Sequence, residues 1–128
     1  MNLQTIIVVA SGGALGAVSR YTIIDFTNRY LDNKIPFGTL YVNLIGSLLI
    51  GILFAYLHNS TTISNNLKLF IATGFLGALT TYSTFALESF LLIDNRDYLE
   101  ALINIVLNLF GTIMLVAIGY ITTINLIK

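Results

Sequence analysis

No cysteine occurs in this sequence, proline occurs once, and charged side chains make up only 9% of its 128 residues. Without thiols, neither a disulfide framework nor a thiolate metal site can form. A soluble domain of ordinary composition carries about 25% charged residues, so a water-exposed surface over the whole fold is excluded. Basic and acidic residues are equal in number, six of each, and zero net charge gives no electrostatic reason to expect nucleic acid. No nucleophile–base pair and no cluster of metal-ligating side chains emerges, so enzymatic chemistry is not expected. What the chain has is apolar bulk: 56% of its residues are hydrophobic. The first reading is an all-α integral membrane protein.

A span across a bilayer needs roughly 20 mostly apolar residues. Four such stretches occur, at about 3–24, 37–57, 67–92 and 98–126, and define a single four-helix transmembrane domain over residues 1–128. Met1-Asn2-Leu3-Gln4 carries no basic stretch, and no small-residue cleavage site follows it. It reads as the start of the first span, not as a removable signal.

In the first span, Gly12 and Gly16 are four residues apart, as are Gly13 and Ala17. Small residues at that spacing share a helix face and let membrane helices approach closely. Arg20, near the span's end, is either a snorkelling or dipole partner or a direct ion contact. Asp25, Arg29, Asp32 and Lys34 read as a solvated connector, and Pro36 suits the entry to a second helix. That helix contains one strongly polar residue, Asn43, which can serve as interhelical glue or donate its amide to a passing anion. Gly46 and Gly51 again permit tight packing. His58 opens a polar loop that includes Thr61 and Thr62 and runs to Lys68. Its imidazole reads as interfacial.

The third span is unlike the others. Gly74-Phe75-Leu76-Gly77-Ala78-Leu79-Thr80-Thr81-Tyr82-Ser83-Thr84-Phe85-Ala86-Leu87-Glu88 follows two glycines with four hydroxyls, two rings and a carboxylic acid, yet residues 69–87 carry no charge. A break is expected between Gly77 and Thr81. Irregular backbone survives in hydrocarbon only when buried in protein or lining a wet cavity. Such a break offers free carbonyls to a cation and free N–H groups to an anion. Tyr82, Phe85 and Glu88, at three-residue spacing, share a face. A ring edge carries positive quadrupole density and can accept an anion. The competing reading is an aromatic pair packed on a neighbouring helix, with the hydroxyls of Ser83 and Thr84 back-bonded to the preceding turn. In the fourth span, Asn104, Asn108 and Thr112 form a polar stripe at four-residue spacing, suited to interhelical hydrogen bonding or to the second wall of a polar channel.

With four spans, the side bearing both termini holds Lys68 and Lys128, and the other holds Arg20, Arg29, Lys34 and Arg96. That bias is weak, and is compatible with copies inserted in opposite orientations.

Three collinear blocks carry a family resemblance: Gly12-Gly13-Ala14-Leu15-Gly16-Ala17-Val18-Ser19-Arg20-Tyr21, Gly38-Thr39-Leu40-Tyr41-Val42-Asn43-Leu44-Ile45-Gly46-Ser47, and residues 74–85. Together they resemble the signature blocks of the Fluc (CrcB) fluoride channels. The resemblance implies an antiparallel dual-topology dimer in the bacterial inner membrane, surrounded by lipid, with two pores that passively export fluoride. It also implies a structural sodium ion on the dimer axis, held by the backbone carbonyls of Gly77 and Thr80. By the same motif, Asn43 is the pore asparagine, Tyr82 and Phe85 occupy the two pore-phenylalanine positions, and Ser83 and Thr84 belong to a hydroxyl track. Glu88 follows at an acidic position, with Asn108 and Thr112 on the opposing helix. Tyr82 departs from the usual phenylalanine: its hydroxyl can donate to fluoride or close the pore by pairing with Thr84 or Asn43. The partner is accordingly a second copy or a paralogous subunit. A small proton-coupled multidrug transporter and a non-conducting assembly partner are the alternative classes; the former calls for a membrane-central carboxylate, which the first span lacks.

Overall fold

Asn2 starts the first helix: its side chain accepts from the Thr5 N–H at 2.8 Å, satisfying a donor that a first turn leaves open. The computed structural model describes residues 2–31, 34–59 and 63–127. Asp32, Ser60, Thr61, Thr62 and Lys128, which belong to the connectors and the charge count above, lie outside them. Among the described residues the regular secondary structure is all helix. Helix α1 (Leu3–Tyr30) is followed by α2 (Phe37–Asn59). The third span, Asn65–Asp94, comprises α3, residues 65–79, and α4 (Tyr82–Asp94). The fourth is α5 (Tyr98–Leu126). Four helices are thus long and apolar enough to cross a membrane. Leu15, Val18, Phe54, Phe110, Ile113 and Ile121 all point outward, where lipid is the solvent that suits them.

Helix α1 runs to Tyr30, beyond the expected end near residue 24, because its last turns carry their own supports. The Thr22 and Thr27 hydroxyls donate to the Val18 and Ile23 carbonyls. Asp25 and Arg29, expected in a connector, are helical and form an ion pair at 2.8 Å, the favourable four-residue spacing. At the end of the third span, α4 stops at a tight turn. Arg96 adopts φ 66°, its N–H reaches the Ile93 carbonyl, and the Asp97 N–H reaches Leu92. This is the Schellman pattern, which satisfies the last carbonyls and reverses the chain within a few residues.

Helix α1 packs on α3, and α2 packs on α5, while α4 lies against the start of α5. Val42, Leu76 and Leu79 form the buried apolar centre where α2 meets α3. Residues 69–76 and 107–111 are wound as wider π-helix, a feature frequent at functional sites. The glycines explain how the helices come so close. A methyl group at Gly12 would overlap the Phe70 carbonyl, and one at Gly16 the Phe75 carbonyl. At Gly13 the nearest atom, the Gly74 carbonyl oxygen, is 4.0 Å away. Of the two small-residue pairs in this helix, only Gly12 and Gly16 are positions at which a Cβ would collide with α3. Gly51 and Gly119 play the same part between α2 and α5.

Candidate functional site

The third span is interrupted at Thr80 and Thr81, both extended (ψ 156° and 111°). Thr80 still closes the α3 ladder, its N–H and hydroxyl both donating to the Leu76 carbonyl. Thr81 does not. Its N–H, which in a continuous helix would bond to Gly77, donates instead to Asn43 Oδ1 at 2.8 Å. Asn43 returns the contact: Nδ2 donates to the Thr81 carbonyl at 3.2 Å and to Asn108 Oδ1 at 2.9 Å. The Thr81 hydroxyl then caps α4, accepting from the Thr84 N–H at 3.3 Å and donating to the Thr84 hydroxyl at 2.9 Å, with Ser83 Oγ at 3.5 Å. Inside a bilayer each exposed polar group would cost several kcal/mol, and these partners meet that demand. Arg20 reaches the same break, with Nη1 donating to the Thr80 carbonyl at 3.4 Å.

Beside the break lies a cleft of about 470 Å³. Asn43, Tyr82, Phe85, Asn108 and Thr112 line it, as do Gly46, Gly77 and Thr80. Gly46 matters because the Thr80 side-chain methyl lies where a Cβ would be. The Tyr82 and Phe85 rings meet edge-on, with centroids 5.4 Å apart, and Tyr82 is 79% exposed. Ser83, Thr84 and Glu88 are not among the residues lining this cleft. The Glu88 carboxylate turns toward α2, where Thr39 donates to Oε1 at 2.7 Å. Its Oε2 is buried without a hydrogen-bond partner among the described residues. Gly12 and Gly16 are at the α1–α3 contact.

Three polar residues join the site: Thr39 and Ser89, which were not among the expected site residues, and Asn104, expected only as part of the fourth-span polar stripe. Thr39 holds Glu88. Asn104 accepts from Asn108 Nδ2 on both its backbone and side-chain oxygens, at 3.1 and 3.0 Å. Ser89 accepts from Asn104 Nδ2 at 3.0 Å and donates to the Phe85 carbonyl at 2.8 Å. The four-residue spacings of Phe85 to Ser89 and of Asn104 to Asn108 were the available signals.

A four-span bundle whose third span opens into backbone carbonyls, N–H groups and amides defines an integral membrane protein of the ion-handling class, since such breaks are where membrane proteins hold ions. Residues 7–120 match the model of the CrcB-like protein family, Camphor Resistance (CrcB). The chain is 50% identical over 120 residues to the fluoride-specific ion channel FluC of Sulfurimonas denitrificans, covering 94% of this chain and 93% of that protein. It is 44% identical over 118 residues to a FluC of Campylobacter jejuni, covering 92% and 96%. A FluC of Shewanella putrefaciens is 44% identical over 117 residues, covering 91% and 94%. This chain belongs to the CrcB/FluC family of fluoride-specific ion channels. Membership makes it a membrane channel and not an enzyme, and it removes the multidrug-transporter alternative.

Proposed function

We propose that the chain conducts fluoride passively and selectively out of the bacterial cytoplasm, as an antiparallel dimer of two oppositely inserted copies with two pores. The observation that carries this reading is the latched break: Asn43, Thr81 and Asn108 converge on a polar cleft within an otherwise apolar bundle. Fluoride is small and holds its water tightly. A narrow path replaces that shell with N–H, O–H and ring-edge donors, whereas the larger, softer chloride leaves such donors poorly paired. Tyr82, Phe85, Asn43, Asn108 and Thr112 form this path along the cleft, and Ser83, Thr84 and Glu88 continue it along α4. The cleft is open and Tyr82 faces outward, so a second copy closes each pore.

The break also suits a sodium ion. The Thr81 and Thr84 N–H groups are drawn to Asn43 and to the Thr81 hydroxyl, which frees the Gly77 and Thr80 carbonyls from the helical ladder. Unwound carbonyls are the donors that membrane proteins offer to sodium, and Gly77 and Thr80 would hold it together with the same pair from the second copy. A cation held there by Gly77 and Thr80 would supply a positive field that favours an anion nearby. Arg20, on the Thr80 carbonyl, adds to that field without filling the carbonyl's second lone pair.

Liposomes that contain only this polypeptide and are loaded with fluoride test the reading with a fluoride electrode. Rapid fluoride release with chloride retained supports a homodimeric channel. Release only when a related subunit is co-reconstituted supports the heteromeric form that Tyr82 leaves open, and fluoride-tight vesicles under both conditions overturn the proposal.

A further inference from the structure

The amide hydrogens around the break are fully committed. Asn43 has two, one on the Thr81 carbonyl and one on Asn108 Oδ1, while its own oxygen holds the Thr81 N–H. Asn108 is oriented from both ends. Its Nδ2 is held by the two oxygens of Asn104, which leaves Oδ1 as the end toward Asn43. Asn104 is 0% exposed, is not among the residues lining the cleft, and donates to Ser89, whose hydroxyl donates to the Phe85 carbonyl. Every donor in this series points the same way, from Asn43 through Asn108, Asn104 and Ser89 to the backbone of Phe85. A buried polar chain is stable only while each member keeps its direction. Turning the Asn108 amide over would set NH₂ against NH₂ at Asn43 and oxygen against oxygen at Asn104.

We propose that Asn104 is a positioning residue of the conduction path: by holding the Asn108 amide, it keeps Asn43 latched to Thr81. This rests on the fluoride-channel reading above. One Asn43 hydrogen holds the break, so the hydrogen a passing fluoride can borrow is the one on Asn108 Oδ1. That exchange is reversible while Asn108 waits in a fixed orientation. An Asn108 amide free to turn presents its NH₂ to the path and traps fluoride there, or leaves Asn43 without its acceptor. A hydroxyl at position 108 needs no such anchor. It would donate to the carbonyl four residues back, as Thr112 donates to the Asn108 carbonyl, and keep its lone pairs for Asn43.

The test uses full-length protein in liposomes and compares wild type, Asn104→Leu, and Asn104→Leu combined with Asn108→Thr. Asn104→Leu is expected to slow fluoride release about tenfold while eluting as a dimer like wild type. Adding Asn108→Thr is expected to bring release back to within about threefold of wild type. A purely structural Asn104 predicts no such suppression, so a double variant no faster than the single one overturns the proposal, as does Asn104→Leu at the wild-type rate. Should Asn104→Leu fail to fold, Ser89→Ala, which removes the far anchor of Asn104, takes its place with the same suppressor and the same two overturning results. Wild-type vesicles that stay fluoride-tight both alone and with a related subunit would overturn the channel reading and this inference together, whereas wild-type release without suppression overturns this inference alone.

Discussion

Asn43 and Thr81 are joined by a matched pair of hydrogen bonds, the Thr81 N–H donating to Oδ1 at 2.8 Å and Nδ2 donating to the Thr81 carbonyl at 3.2 Å. A single side chain on α2 therefore satisfies both backbone groups of the residue at which the third span breaks. The interruption is held from outside the interrupted helix, so the stability of the break and the chemistry of the proposed path share one residue. Asn43→Leu would leave the Thr81 N–H and Asn108 Oδ1 buried and unpaired, at about 1–3 kcal/mol each, while the Thr81 carbonyl, as the N-cap of α4, would keep only the first intrahelical bond. The expected outcome is a fall in fluoride release of at least about tenfold, together with a lower unfolding temperature in detergent. Release and melting both at wild-type values would refute the latch.

Phe85 and Tyr82 separate by what their rings do. Phe85 lines the cleft and takes the edge-on contact from Tyr82. Replacing Phe85 by Ile keeps bulk but removes the ring, and fluoride release is expected to drop while the dimer survives on size exclusion. At position 82, Tyr82→Phe is expected to release fluoride faster than Tyr82→Ile, because the contact belongs to the ring and not to the hydroxyl. The reverse order in the electrode assay would assign the role to the hydroxyl.

Much of this architecture is legible in the sequence, and the reasons differ from element to element. Spans two to four stand out because their apolar runs end in polar clusters, and the break stands out because Gly77 and two consecutive threonines interrupt one of those runs. The extension of α1 to Tyr30 does not stand out. Asp25 and Arg29 look like loop charges until their four-residue spacing is read as an ion pair on a helix. The Glu88 carboxylate shares a helix face with Phe85 by spacing, yet its side chain bends to Thr39, a contact between residues 49 positions apart that no local pattern encodes. Asn104 was visible as part of a stripe, but the direction of each amide in that stripe depends on its partners in three dimensions.

Gly12 and Gly13 are neighbours in sequence with opposite tolerance. A methyl at Gly12 or Gly16 meets a backbone carbonyl of α3, which cannot rotate away, whereas at Gly13 the nearest atom is at 4.0 Å. Gly16→Ala is expected to lower stability by about 1–3 kcal/mol, the usual cost of overpacking, and Gly13→Ala to have little effect. Thermal unfolding in detergent checks the contrast, and equal shifts for the two variants would contradict the packing.

Sodium removal tests the carbonyl site without any mutation. A ligand that binds only the folded dimer stabilises it by about 2.7 kcal/mol at a hundredfold excess over its dissociation constant. Exchange of sodium for N-methylglucamine is therefore expected to lower the unfolding temperature, and restored sodium to raise it again. Fluoride release is expected to follow the fluoride gradient whatever the direction of the sodium gradient, as the proposed structural role of sodium requires. A melting temperature indifferent to sodium would remove Gly77 and Thr80 from the role of ligands.

Arg96 offers the cleanest backbone test because it lies in the turn between α4 and α5, away from the cleft. At φ 66° its Cβ crowds the carbonyl, at a cost of about 1–2 kcal/mol for an ordinary L-residue, whereas glycine adopts this conformation freely. Glycine gives back part of that gain through the greater freedom of its unfolded chain. Arg96→Gly is accordingly expected to raise stability by about 0.5–1 kcal/mol, and Arg96→Val to lower it, since a β-branched side chain fits this region worst. Melting curves of the two variants would run in opposite directions from wild type, with fluoride release per dimer unchanged in both. A lower melting temperature for Arg96→Gly would mean that the guanidinium contributes more at the membrane surface than its backbone costs.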